Sequence, residues 1–222
     1  MTEYTEAIRS TSLFEGIEES EIEALLNSAG SGIKKYGRDE YIRHAQDPAD
    51  FIGIVLEGSI RIQQYDFYGN RNITSDFGRG SLFAEAFACS GAEKLPVDIV
   101  SCAPSVILFL DRSILSPCES CCSYHHRLIG NLLRIVAGKN MVLTQKLRYI
   151  SHRTTGEKLM SFLDDQAKLH HSPEFDIPFD RQALADYLGV ERSAMSAEIS
   201  KLVKEGYIKT KRSHFILLKP MN

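Results

Sequence analysis

The sequence predicts an α+β chain of three successive parts: a β-rich N-terminal domain, one long helix, and a basic helical head that ends in a hairpin. Three observations predict it. Residues 32–112 carry short apolar or alternating runs separated by glycines, the pattern of strands in a small sandwich or barrel. Residues 123–150 hold a heptad seam of apolar positions with one polar member, Asn140. Residues 181–202 hold two short helical patterns on either side of a glycine.

Composition bounds the reading. The chain has 222 residues, with 26 Lys+Arg against 29 Asp+Glu, a formal charge of −3, and 43% hydrophobic residues. That length allows one large domain or two small ones, and the apolar content argues against general disorder. The whole chain is not a basic nucleic-acid binder, so any such role must be local. The longest apolar run, Val106-Ile107-Leu108-Phe109-Leu110, is far short of the roughly 18–20 residues that span a bilayer. Met1-Thr2-Glu3-Tyr4-Thr5-Glu6 has neither a basic start nor an apolar stretch, so no signal peptide is expected. A cytoplasmic protein with no membrane contact is the expectation. Five cysteines, an odd number, do not make a secreted disulfide framework.

Along the chain, residues 9–29 read as a loop followed by a short amphipathic helix carrying Ile22, Leu25 and Leu26, with Ser20 as N-cap and Glu23 three residues on. Phe51-Ile52-Gly53-Ile54-Val55-Leu56 and Ser59-Ile60-Arg61-Ile62-Gln63 read as strands, and Tyr68-Gly69-Asn70 and Phe77-Gly78-Arg79-Gly80 as turns. In the long helix, Ile129, Leu133, Val136, Asn140, Leu143, Leu147 and Ile150 step by four and three alternately. A straight helix cannot bury such a seam against itself, so a second copy of the same helix is the expected partner, with the lone Asn140 setting register. The alternative is an ordinary helix packed on the barrel. Residues 154–171 form a further helix, carrying Leu159, Phe162, Leu163 and Leu169.

The densest signal is the stretch from Arg181 to Leu202. Ala185 supplies the small residue where a second helix must cross the first. Gly189, four residues on, supplies the turn that needs positive φ, and Val190 plugs the angle between the helices. Ile199 and Leu202 hold the second helix down. Its other face shows Arg192, Ser193, Ser196, Ala197 and Ser200, small and polar with a cation at its start, which suits close entry into a major groove. Lys209-Thr210-Lys211-Arg212-Ser213-His214 then reads as a basic hairpin, the wing of a winged helix. Residues 189–222 hold seven Lys/Arg and three Glu, a local +4, whereas residues 1–150 hold 15 Lys/Arg and 19 Asp/Glu, a local −4. That asymmetry is the footprint of a DNA-binding module on an acidic sensor.

Taken together, these parts resemble the Crp/Fnr superfamily of bacterial transcription regulators over nearly the whole chain. The residues that carry the resemblance are Phe51 to Ile62, like that family's sensor strands and turn, and Arg181-Gln182, Leu184-Ala185, Leu188-Gly189-Val190 and Arg192-Ser193, like its reading head. The resemblance implies a cyclic-nucleotide-binding-type β-roll (a double-stranded β-helix) at about residues 1–118, a dimerisation helix at 119–150, and a winged helix-turn-helix at 151–222. It implies a homodimeric regulator, not an enzyme, whose roll gates binding to a palindromic operator. Double-stranded DNA, a second copy and RNA polymerase are the implied partners. On this reading Arg181 and Gln182 anchor to a phosphate or a base edge, Arg192, Ser193, Ser196 and Ala197 face bases, and Lys201, Lys211 and Arg212 hold backbone phosphate.

Two departures alter the expectation. Cyclic-AMP binders of this family carry Gly-Glu after a strand and an Arg-Ser or Arg-Thr pair about ten residues later. Glu85 in Gly80-Ser81-Leu82-Phe83-Ala84-Glu85 matches the ribose-binding Glu, but the Arg position falls near Leu95-Pro96-Val97, with Lys94 the nearest cation. A phosphate buried without a cation is costly, which argues against cyclic AMP and leaves the effector unknown. Phe83, Ala84, Glu85, Pro96 and Val97 are the candidate pocket residues. In the reading helix, Ser193 and Ala197 stand where many members have Glu and Arg, so operator preference should differ.

Cys118, Cys121 and Cys122 form a Cys-x-x-Cys-Cys group, followed by His125 and His126. Zinc, an iron–sulfur cluster or a redox switch at these thiols is the alternative sensor; plain structural use is the favoured reading. A second alternative is a ligand-sensing module acting on a protein partner, which would have no need of Gly189, Arg192 and a basic wing. His44 is the only histidine of the β-region, which argues against a metalloenzyme barrel.

Overall fold

A computed structural model describes residues 4–28, 30–65, 71–116 and 123–219. The Tyr68-Gly69-Asn70 turn and Cys118, Cys121 and Cys122 lie outside the described residues. The chain divides into two compact units, residues 1–137 and 138–222.

The first unit is built on two four-stranded antiparallel sheets. One has the order β1 (Gly32–Tyr36), β8 (Ser105–Asp111), β3 (Phe51–Glu57), β6 (Leu82–Phe83). The other has β2 (Tyr41–Arg43), β7 (Asp98–Ser101), β4 (Ser59–Tyr65), β5 (Arg71–Gly78). Strands β3 and β8 are buried on both faces, and this is why they read as unbroken apolar runs. Side chains alternate across a strand. Phe51, Val55, Ile107 and Phe109 therefore enter the interior between the sheets, while Ile52, Ile54, Leu56, Leu108 and Leu110 pack outward under the N-terminal helices. Gly53 sits between Phe51 and Val55 because the ring of Phe83 lies on it; a Cβ there would come within 2.1 Å of that ring.

The N-terminal segment forms α1 (Thr5–Arg9), a 3₁₀ turn (Ser12–Phe14) and α2 (Glu19–Ser28). Ser20 is not the cap of α2. The helix begins one residue earlier, and Glu21 Oε2 accepts from the backbone N–H of Glu18 at 3.1 Å. Two carboxylates stand three residues from two possible caps, and Glu21 rather than Glu23 folds back.

The long helix α4 (Ser123–Ser151) begins in the first unit and ends in the second. In the first unit Leu128 and Leu132 are buried against the outer face of the β3–β8 sheet. Asn131, also buried, donates through Nδ2 to the carbonyls of Leu13 and Glu15 at 3.0 and 2.8 Å, so the strap before α2 is bonded to the helix. Arg127 donates to the carbonyl of Gly16 beside it. The expected seam lies on another face. Leu133, Leu143 and Leu147 are 68%, 60% and 61% exposed, and Met141 and Val142 flank them in the open. Asn140 is exposed too, accepting from Thr144 Oγ1, whereas Ile129 and Val136 are half-buried.

The second unit packs α5 (Thr155–His170), α6 (Arg181–Leu188) and α7 (Arg192–Lys204) on a three-stranded sheet ordered β10 (Ile208–Lys211), β11 (His214–Leu217), β9 (Glu174–Asp176). Strand β9 extends the expected hairpin; three residues are too few to show as a strand in sequence. Thr154 and Glu157 form a reciprocal capping box at the start of α5. Asp165 on α5 then fastens the end of α4. Its Oδ2 accepts from Gln145 Nε2 at 3.0 Å, from Tyr149 Oη at 2.8 Å, and from Arg148. The Tyr149 ring is buried edge-on against Phe162.

Burial alone would raise the Asp165 carboxyl, but the hydrogen bonds from Gln145 and Tyr149 and the charge of Arg148 outweigh it and hold it below the ordinary range. A carboxyl depressed on folding contributes stability above its unfolded value and loses it as pH falls through the folded one. Asp165→Asn should therefore cost the second unit about 2 kcal/mol at pH 7, the net worth of a hydrogen bond to a charged group. The gap between wild type and variant, read from urea unfolding, should narrow as pH falls below about 4. An equal gap at pH 7 and pH 3 would show that the charge of Asp165 contributes nothing.

Candidate nucleic-acid interface

Helix α6 starts at Asp180, whose Oδ1 accepts from the N–H of Ala183 at 2.8 Å. It stops at Gly189, which takes φ +63°, and the N–H of Val190 donates back to Ala185 at 3.0 Å. A non-glycine residue at Gly189 would sit in the left-handed region. Ala185 is fully buried where α7 crosses, and Met195, Ile199 and Leu202 turn the same side of α7 into the core. The remaining face carries Arg192, Ser193, Ser196, Ala197, Ser200 and Lys201, all exposed. The spacing thus dictates both faces of the helix.

Around the start of α7 lies an open cleft of about 560 Å³, lined by Phe179, Arg181, Gln182, Arg192, Arg212 and Ser213 among others. Four of the expected contact residues, Arg181, Gln182, Arg192 and Arg212, converge there from α6, α7 and the turn between β10 and β11. They are not equally available. Gln182 Nε2 is bonded to Asp186 Oδ1 at 2.8 Å. Arg181 Nη2 donates to Thr210 Oγ1 at 3.0 Å, and its guanidinium carbon lies 5.1 Å from the centre of the Phe215 ring. Burial pulls its pKa below the ordinary arginine value. Lys201 is committed to Glu198 at 3.2 Å, which raises its pKa. Arg192, Lys211 and Arg212 stand exposed. Arg212 adopts φ +57°, a conformation that L side chains rarely take outside turns and functional sites.

Sequence reasoning had no means to find Thr210 and Phe215 as partners of Arg181, since they lie 29 and 34 residues away. It also missed His214, whose two ring nitrogens face Asp176 Oδ1 at 3.3 Å and Glu174 Oε1 at 3.1 Å on the third wing strand. The Lys201–Glu198 pair, by contrast, was open to view from the i, i+3 spacing.

In the β-roll, Phe83, Ala84 and Val97 are buried in the interior cluster, and Glu85, at 4% exposure, opens α3 (Glu85–Ser90) beside them. Pro96 is exposed and turns away from that interior. Leu95 is fully buried in it, with its backbone bonded to Asp47 and Gln46. Of the stretch Leu95-Pro96-Val97, where the resemblance would place the arginine of a cyclic-AMP binder, Leu95 and Val97 are thus apolar side chains packed in the interior. Among the described residues no group of three or more His, Cys, Asp or Glu could hold a metal ion, and His44 stacks on Tyr41. Cys89 is exposed; burial first, and Glu85 second, push its thiol up. No helix of the described residues is long and apolar enough to cross a membrane.

Comparison with known proteins gives two family matches. Residues 33–117 match the cyclic nucleotide-binding domain family, and residues 157–221 match the Crp-like helix-turn-helix domain family. No curated protein sequence matches the chain. Among solved structures, the c-di-GMP-responsive global regulator CLP of Xanthomonas campestris is similar over 91% of this chain and 100% of its own, with a TM-score of 0.60 at 16% identity. FixK2 from Bradyrhizobium japonicum is similar over 85% and 93%, with a TM-score of 0.52 at 19% identity. DNR from Pseudomonas aeruginosa is similar over 99% and 95%, with a TM-score of 0.51 at 19% identity. At these identities the likenesses speak for the fold, and the two domain families carry the assignment. With an effector-binding domain of the cyclic-nucleotide type followed by a Crp-like helix-turn-helix, the chain belongs to the Crp/Fnr superfamily of DNA-binding transcription regulators, which are not enzymes.

Proposed function

We propose that the chain acts as a homodimer that reads a two-fold symmetric operator, and that its β-roll answers an effector other than cyclic AMP. The observation that carries the DNA reading is the free face of α7. It is small and polar, it starts at Arg192, and it opens beside the cleft that Arg192 and Arg212 share. Arg192, Ser193, Ser196 and Ala197 then face base edges, while Lys211 and Arg212 hold backbone phosphate. Lys201, tied to Glu198, is a weaker contact than its charge suggests. In a symmetric dimer the two reading helices address half-sites roughly 34 Å apart. A dimer on DNA would present a second surface to RNA polymerase.

The dimer reading is supported by the heptad face of α4, where Leu133, Leu143 and Leu147 stand in solvent. Exposed leucines in a straight row gain by covering one another, at about 25 cal/mol for each Å² removed from water. The effector reading is supported by Leu95, which offers no charge to a cyclic phosphate. Glu85, Phe83, Ala84 and Val97 surround the place an effector would enter, and Pro96 belongs to its outer rim. Binding there would act by differential affinity for two arrangements of the dimer.

Three outcomes test this. Sedimentation should give twice the chain mass for the wild type, and Leu143→Asp should shift it to the single-chain mass; a monomeric wild type would overturn the dimer. With the operator selected from a random duplex library, Arg192→Ala should lose about 1–3 kcal/mol of preference for it, whereas Lys211→Ala should weaken all duplexes alike and lower the salt slope by about one. An unchanged ratio of operator to random binding for Arg192→Ala would remove α7 as the reading helix. Cyclic AMP should leave the melting temperature and operator affinity unchanged; a clear shift in either would mean that Leu95 does not exclude it.

A further inference from the structure

We propose that Arg181 is a positioning residue that braces the wing against α6, and not the phosphate anchor that its place in the sequence suggests. The proposal rests on the reading that the wing cations contact DNA. Arg181 is the first residue of α6. Its Nη2 donates to Thr210 Oγ1 on β10 at 3.0 Å, and its guanidinium lies over the ring of Phe215 on β11 at 5.1 Å. One side chain therefore engages both strands of the wing. Phe215 is fully buried, and among the described residues no carboxylate lies within ion-pair reach of Arg181. A planar guanidinium can stack on a ring and donate in its own plane at once; an ammonium cannot.

Strand geometry turns this brace into a device for aiming charge. Successive side chains on β10 point to opposite faces. Thr210 is half-buried toward α6, whereas Lys209 and Lys211 on either side of it are exposed. Holding Thr210 fixes the face that carries the two lysines, and holding Phe215 fixes the turn that carries Arg212. Arg192 and Arg212 stand exposed beside the same cleft, free to meet DNA, while Arg181, which also lines it, is engaged with the wing.

The test is a double-mutant cycle on the full-length protein, read by fluorescence anisotropy with a 30-base-pair mixed-sequence duplex. Arg181→Gln should weaken binding by roughly five- to tenfold, the range of coupling between groups in contact. Thr210→Val, which deletes only the acceptor and keeps every cation, should weaken it in the same direction. In a Lys211→Ala/Arg212→Ala background the Arg181→Gln penalty should shrink to within about twofold, because a misplaced wing no longer matters once its cations are gone. A penalty that persists undiminished in that background would mean that Arg181 meets phosphate itself, and would overturn the proposal. If Lys211→Ala/Arg212→Ala binds like the wild type, the reading of the wing as a DNA contact fails, and the brace falls with it. Thr210→Val binding like the wild type while Arg181→Gln does not would also overturn it.

Discussion

A helix of 29 residues carries more apolar surface than one neighbour can cover, and α4 meets that constraint by dividing its surface. Leu128, Leu132 and the buried Asn131 face the roll, and the Asn131 amide satisfies the two carbonyls that the incoming strap would otherwise leave unpaired. Tyr149, further along, faces α5, with its hydroxyl on Asp165. What is left over is the row with Leu133, Leu143 and Leu147. Each unit therefore owns a stretch of the same helix, and the stripe that neither owns is the one proposed above to meet a second copy.

The β-roll obeys a related constraint. Strands β3 and β8 have apolar neighbours above and below, so every position except the exposed last residues, Glu57 and Asp111, is apolar or small. Gly53 is the one place where the interior takes a ring in place of a side chain. Phe51, Phe83 and Phe109 meet edge to face there, and the guanidinium of Arg43 covers Phe51 and Phe109 at 5.0 and 4.9 Å. Such contacts add about 0.5–1.5 kcal/mol each beyond area burial. The roll's interior is thus consolidated by its own side chains.

Legibility followed the range of the interaction. The helix-turn-helix could be read directly because its demands are local: a small residue at the crossing, a glycine at positive φ, and buried positions at helical spacing. The exposure of Leu133, Leu143 and Leu147 on one face of α4 follows a heptad that is periodic in the sequence. The core strands could be read from the lengths of their apolar runs. At Ser20 and Glu18 two local solutions compete, and spacing alone does not decide between them; the structure has Glu21 folded back on Glu18. Where the partner was distant, as for Arg181 with Thr210 and Phe215, sequence offered the right residue with the wrong surroundings. Pro96 lies in the bend before β7, and it stays exposed while its neighbours Leu95 and Val97 go inward.

Leu95 has a thermodynamic consequence beyond its lack of charge. A roll that needed a ligand to complete its interior would be partly unfolded without one, and much of the binding free energy would go into folding. This interior is closed by Leu95, Phe83 and Phe109 from within. The packing of these side chains is then part of the fold's own stability, and a ligand's binding energy would not be needed to supply it. Whatever part of that binding energy differs between the two states remains available to shift their populations.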